Sequence, residues 1–67
     1  MLPNDKLIHE NSMIIYELLS KMKRCSFNEI QSICKLDNIC ICLSLIHLIR
    51  LDKIQQINTP NGIIYTL

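Results

Sequence analysis

Residues 38–51 read "NICICLSLIHLIRL". The run contains no proline or glycine and is long enough for nearly four turns of helix. At about 100° per residue, Ile39, Ile41, Cys42, Leu45, Ile46, Leu48 and Ile49 occupy well over half of the circumference. Cys40, Leu43, Ser44, His47, Arg50 and Leu51 are left for the opposite side, which is therefore expected to face outward. One Arg and no Lys stand in the whole stretch, so the helix that decides the fold is greasy on both sides.

Working outward, the residues before it form two shorter units. In "KLDN", Asp37 or Asn38 supplies an N-cap for the greasy helix. Ser26 followed three residues later by Glu29 is a capping box, so a second helix is expected to start there, with Phe27, Ile30, Ile33 and Cys34 as its apolar face. "RCS" before it reads as a break. Earlier still, residues 11–23 place Ile14, Ile15, Leu18, Leu19 and Met22 on one arc, opposite Glu17, Ser20, Lys21 and Lys23, which predicts an amphipathic helix.

After residue 52 the period changes. "KIQQI" and "GIIYTL" are β-rich runs flanking "NTPNG", whose Pro60 and Asn61-Gly62 provide turn geometry. Three helices followed by a short hairpin is the order of a winged helix-turn-helix, mainly α with a small β-hairpin as its wing. The expected organisation is an N-terminal arm over residues 1–10 and a single winged-helix domain over residues 11–67. In the arm, Pro3 disfavours helix just before it, and Leu7 and Ile8 have nothing local to pack on. An extended segment lying on a partner or back across the domain is expected.

Such a fold commonly reads DNA, and here the charges argue against that use. Between Phe27 and Leu51, Lys35 and Arg50 are balanced by Glu29 and Asp37. Lys53 is the only charge of the wing. Lys21, Lys23 and Arg24 cluster at the end of the first helix, where they also complement the helix dipole. The net charge of +1 supplies no field that would draw the chain onto phosphates. The face of the third helix that would enter a major groove carries Leu43, Cys40 and His47, a poor set for reading base edges. Lys21, Lys23, Arg24 and Lys53 are expected to touch a DNA backbone only indirectly, inside a larger complex.

Composition points to a protein partner instead. The 67 residues are 49% apolar, 13 of them Ile, and 19% charged, below the ~25% of ordinary globular chains. A domain of about 60 residues buries only roughly 60% of its unfolded surface. Surplus apolar area is then left for another subunit, with Leu7, Ile8, Cys40, Leu43, His47 and Arg50 as the expected contact residues.

Other chemistries find little support. The four cysteines are separated by eight, five and one residues. They lack the paired spacing of a zinc site, and Cys40 and Cys42 lie about 200° apart on a helix. Buried thiols are expected, with no metal, no cofactor and no disulfide framework. Gly62 is the only glycine, so no phosphate-binding loop is present, and neither His9 nor His47 belongs to a catalytic motif. No enzyme activity is expected. The opening "MLPNDKLIHENS" has no basic segment leading into an apolar run, and no apolar run reaches the ~20 residues of a membrane span. A cytoplasmic chain without membrane partners is expected.

The start "MLPNDKLI" and the later "LIHLIRLDKI", running into a final hairpin, resemble the small winged-helix middle components of bacterial ABC-three-component systems. In those proteins an "LPDK"-like start precedes the first helix, and an "LxxLxxLGxI"-like stretch carries the third helix into the wing. Leu45, Leu48, Leu51 and Ile54 fit the apolar positions, and Asp52 stands where the pattern usually has Gly. The resemblance covers nearly the whole chain. It implies a non-enzymatic adaptor that couples an ABC or SMC-like ATPase to an effector, commonly a nuclease, in defence against phage or plasmids. Two other classes are consistent with the residues: a small winged-helix transcription regulator, and a homodimerising protein-interaction module.

Overall fold

The computed structural model describes residues 4–67. Its elements are α1 (Asp5–Met22), β1 (Arg24–Ser26), α2 (Phe27–Cys34), α3 (Asn38–Arg50), β2 (Gln55–Thr59) and β3 (Gly62–Thr66). The chain is mainly helical with one small antiparallel sheet of order β1-β3-β2. Ile15, Leu19, Cys25, Ile30, Ile41, Leu45, Leu48, Ile54 and Tyr65 form the core between the helices and one face of that sheet.

The expected caps are present. Ser26 accepts from the Glu29 amide at 3.2 Å while the Glu29 carboxylate accepts from the Ser26 amide at 3.0 Å. Asp37 caps α3 by accepting from the Cys40 amide at 2.8 Å. At the other end of α3 the Lys53 amide reaches the Leu48 carbonyl and the Asp52 amide the Ile49 carbonyl, both at 3.0 Å. That is a Schellman motif, with Asp52 in the left-handed region at φ 57°. At the hairpin tip the chain turns on Pro60 and Asn61, and Gly62 takes a φ of 126° that a side chain would strain.

Three expectations are corrected. The first concerns the arm. Residues 5–10 are helical, because Asn4 caps α1 by accepting from the Leu7 amide at 2.8 Å and Leu7 and Ile8 lie seven residues before Ile14 and Ile15; the first three residues of the expected arm lie outside the described ones. The second concerns "RCS", which is strand β1, pairing Arg24 with Thr66, Cys25 with Tyr65 and Ser26 with Ile64. The sheet is thus three-stranded. The third concerns the phase of α3. Ser44, expected outside, is fully buried, whereas Ile39, Cys42 and Ile46, expected inside, are exposed. The first and third corrections share a cause: α1 starts six residues earlier than expected, and its first turns lie beside Leu43 and His47 of α3.

Candidate interaction surface

Helix α3 presents three stripes. Ile41, Leu45 and Leu48 point into the core. Ser44, with half-buried Cys40, Leu43 and His47 around it, occupies the flank next to α1. Ile39, Cys42, Ile46 and Arg50 recur at intervals of three, four and four residues and are all exposed. This third stripe is the free one.

Two clefts flank it. One, of about 250 Å³, is lined by Asp5 and Ile8 from the start of α1 and by Leu43, Ile46, His47 and Arg50 from α3. The helices run so that the first turns of α1 meet the last turns of α3, and the His9 ring stands edge-on to the His47 ring, centroids 6.3 Å apart. The other, of about 240 Å³, lies between α3 and the sheet, and Cys42, Ile46, Ile49, Phe27, Gln56 and Tyr65 are among its lining residues. Ile46 lines both. Phe27 continues the second cleft into a third, which reaches Asn61, Gly62 and Ile63 at the hairpin tip. The result is one connected surface from the start of α1, across α3, to the hairpin tip. Its charged residues, Asp5 and Arg50, stand at one end, and the rest of its lining is apolar or neutral apart from His47.

Of the expected contact residues, Ile8, Leu43, His47 and Arg50 come together in the first cleft. Leu7 is half-buried beside it and Cys40 is half-buried near the α3 N-terminus; neither lines a cleft. Ile46, Cys42 and Phe27 were missed as surface residues. The available signal was Asn4 as an N-cap three residues before Leu7, with Leu7 and Ile8 seven residues before Ile14 and Ile15, so that both pairs share a helix face.

Lys23, Arg24 and Lys53 lie away from this surface. Arg24 pairs with Thr66, whose other neighbour is Gln55, and the Thr66 hydroxyl donates to the Lys23 carbonyl at 2.9 Å. Lys53 places its ammonium 5.7 Å from the Tyr16 ring centroid. These cations therefore gather at the sheet end opposite the hairpin tip. Lys21 is exposed in the last turn of α1, close to Lys23 in sequence.

The thiols differ by environment. Burial pushes Cys25 up, with the Glu29 carboxylate and Cys34 adding to it, and burial alone raises Cys34. Cys40 is raised by its hydrogen bond to Asp37, by burial and by the charge of that carboxylate. All three are held as thiols. Cys42 is the exposed one. Among the described residues no group of three or more His, Cys, Asp or Glu side chains could hold a metal ion. No single described helix is long and apolar enough to cross a membrane, and α2 and α3 meet at a bend of 116°. No protein-family model, curated protein or solved structure matches the chain.

Proposed function

We propose that this chain is a non-enzymatic adaptor built on a winged-helix frame, with β2 and β3 as the wing and α3 in the reading position. It docks on a larger protein through the outer stripe of α3 and the clefts beside it. The system we assign it to is a bacterial defence complex in which an ABC or SMC-like ATPase is coupled to an effector such as a nuclease. The sequence resemblance in "MLPNDKLI" and "LIHLIRLDKI" supports that assignment.

The observation that carries the adaptor reading is the low charge and largely apolar outer stripe of the surface where a winged helix meets DNA. Ile39, Cys42 and Ile46 face outward there, Ile63 stands near the wing tip, and Arg50 is its one cation. DNA affinity rests heavily on phosphate contacts from Lys and Arg. Lys23, Arg24 and Lys53 instead lie at the far end of the sheet, suited to touching a phosphate backbone held by a partner. An apolar stripe with a polar rim is the anatomy of a protein interface.

The test requires an ABC or SMC-like ATPase gene and an effector gene beside this one, and uses the chain co-expressed with their products. Ile46→Asp places a carboxylate in the middle of the stripe at a half-exposed position, so it should release the chain from the co-purified complex while its circular dichroism stays unchanged. A complex that survives Ile46→Asp, or sequence-specific duplex binding by the isolated chain at physiological salt, would overturn the proposal.

A further inference from the structure

Strand β2 is an edge of the sheet, and it carries none of the devices that normally guard an edge. Gln55, Gln56, Ile57 and Asn58 are exposed and Thr59 is half-buried; the strand has no charge, no proline and no bulge. Its pairing with β3 fixes which backbone groups are free. The two-residue turn makes Thr59 and Gly62 a hydrogen-bonded pair, and the alternation of an antiparallel ladder does the same for Ile57 with Ile64 and for Gln55 with Thr66. The N–H and C=O groups of Gln56 and Asn58 therefore point to the open side.

From this geometry we infer that β2 pairs with β2 of a second copy of the chain, antiparallel, about a two-fold axis at Ile57. The register is self-complementary. Gln56 meets Asn58 of the second copy and Asn58 meets its Gln56, each pair exchanging two backbone hydrogen bonds, while Ile57 meets Ile57 where the ladder has none. On the sheet face away from the core, Ile57 already sits beside Ile64, so pairing makes a continuous strip Ile64, Ile57, Ile57, Ile64 across the axis. No like charges oppose each other within the strand. Pro60 has no N–H and stops the ladder at the tip. The joined sheet has six strands. The outer stripe Ile39, Cys42, Ile46 and Arg50 belongs to α3 and not to β2, so the two readings are tested by different substitutions; Gln56 is the one β2 residue that also lines the cleft beside α3.

The interface is short, which makes the dimer reversible. In sedimentation or light scattering of the full chain, the mass should rise with concentration from 7.8 kDa toward twice that value. Asn58→Pro removes an outward N–H without touching the β2–β3 ladder, and Ile57→Lys sets two ammonium groups against each other at the axis on an exposed position. Each should hold the chain at the monomer mass with helical content unchanged. Because paired residues at a site without hydrogen bonds have Cα atoms about 4.5 Å apart, inside the range of roughly 4.4–6.8 Å for a disulfide, Ile57→Cys in a Cys40→Ser, Cys42→Ser background should cross-link on diamide oxidation. A chain that remains monomeric up to about 1 mM, where only the weakest specific association would be missed, overturns the inference, even if its edge captures a strand from another protein. So does a dimer that persists in both Asn58→Pro and Ile57→Lys.

Discussion

Replacing Ser44 by Ala should make the protein more stable. Ser44 is fully buried in the middle of α3, and its hydroxyl finds no hydrogen-bond partner among the described residues. Other helical serines behave differently: Ser12 donates to the His9 carbonyl at 2.8 Å and Ser20 to the Tyr16 carbonyl at 2.9 Å. An unpartnered buried hydroxyl costs about 1–3 kcal/mol in lost hydration. Alanine is also the better helix former, by up to about 0.5 kcal/mol. Against these stands the void left by one oxygen, roughly 12 Å³, which at about 24 cal/mol per Å³ is about 0.3 kcal/mol. The gain should be about 1–3 kcal/mol, and for a domain of this size each kcal/mol raises Tm by roughly 4–8 °C. Urea and thermal unfolding followed by circular dichroism would measure it, with Leu48→Ala as the opposite control at a loss of about 2–5 kcal/mol. If Ser44→Ala lowers stability, the hydroxyl is bonded in solution and the unpartnered state assigned to it is wrong.

Three further outcomes follow from named residues. Pulsed alkylation of the native chain near neutral pH should label Cys42 first, because Cys25, Cys34 and Cys40 are raised and covered to different degrees; equally fast labelling of Cys40 would mean that the exposed stripe of α3 is misplaced. The backbone hydrogen bond from Cys40 holds the Asp37 carboxyl below its ordinary 3.8, so its stabilisation of α3 is present above about pH 4 and is lost as pH falls through the lowered value. Asp37→Asn keeps the acceptor without the charge and should flatten the acid limb of the stability profile, an outcome that an unchanged limb would rule out. Asp52→Gly relieves the left-handed residue of the Schellman motif and removes a negative charge from the helix C-terminus, so Tm should rise, by about 0.5 kcal/mol in stability after the entropy of glycine is counted; a fall would show that the Asp52 side chain holds the turn.

What could be read from the sequence was local. Ser26 and Glu29 are three residues apart, Asp37 adjoins its helix, and Pro60 to Gly62 make a turn within themselves, so each carries its own chemistry. β1 does not. Its three residues are too few for a period, and they become a strand only because β3 brings Thr66 beside Arg24 from 42 positions away. The phase of α3 was illegible for a different reason: a helix apolar on nearly every side has no clear polar face to mark what is outside. Only its neighbour decides, and an extended arm over residues 5–10 leaves that neighbour out.

The greasiness of α3 now divides into parts that folding needs and a part that it does not. Ile41, Leu45 and Leu48 are fixed by the core, and Ser44 with Leu43 lies along α1, so these residues would be apolar or small in any protein of this shape. Ile39 is 56% exposed and Ile46 is 47% exposed. Full burial of an Ile is worth about 1.5–3 kcal/mol, so each forgoes about 1 kcal/mol in the isolated chain. A lone domain gains nothing from that exposure and risks aggregation through it. A subunit that covers the stripe recovers about 1 kcal/mol per residue and adds the packing of Cys42, Phe27 and Tyr65 in the adjoining cleft. A DNA duplex would recover much less, since its surface here is a charged backbone and polar base edges. Folding alone does not use the outer stripe, whereas the proposed protein partner would.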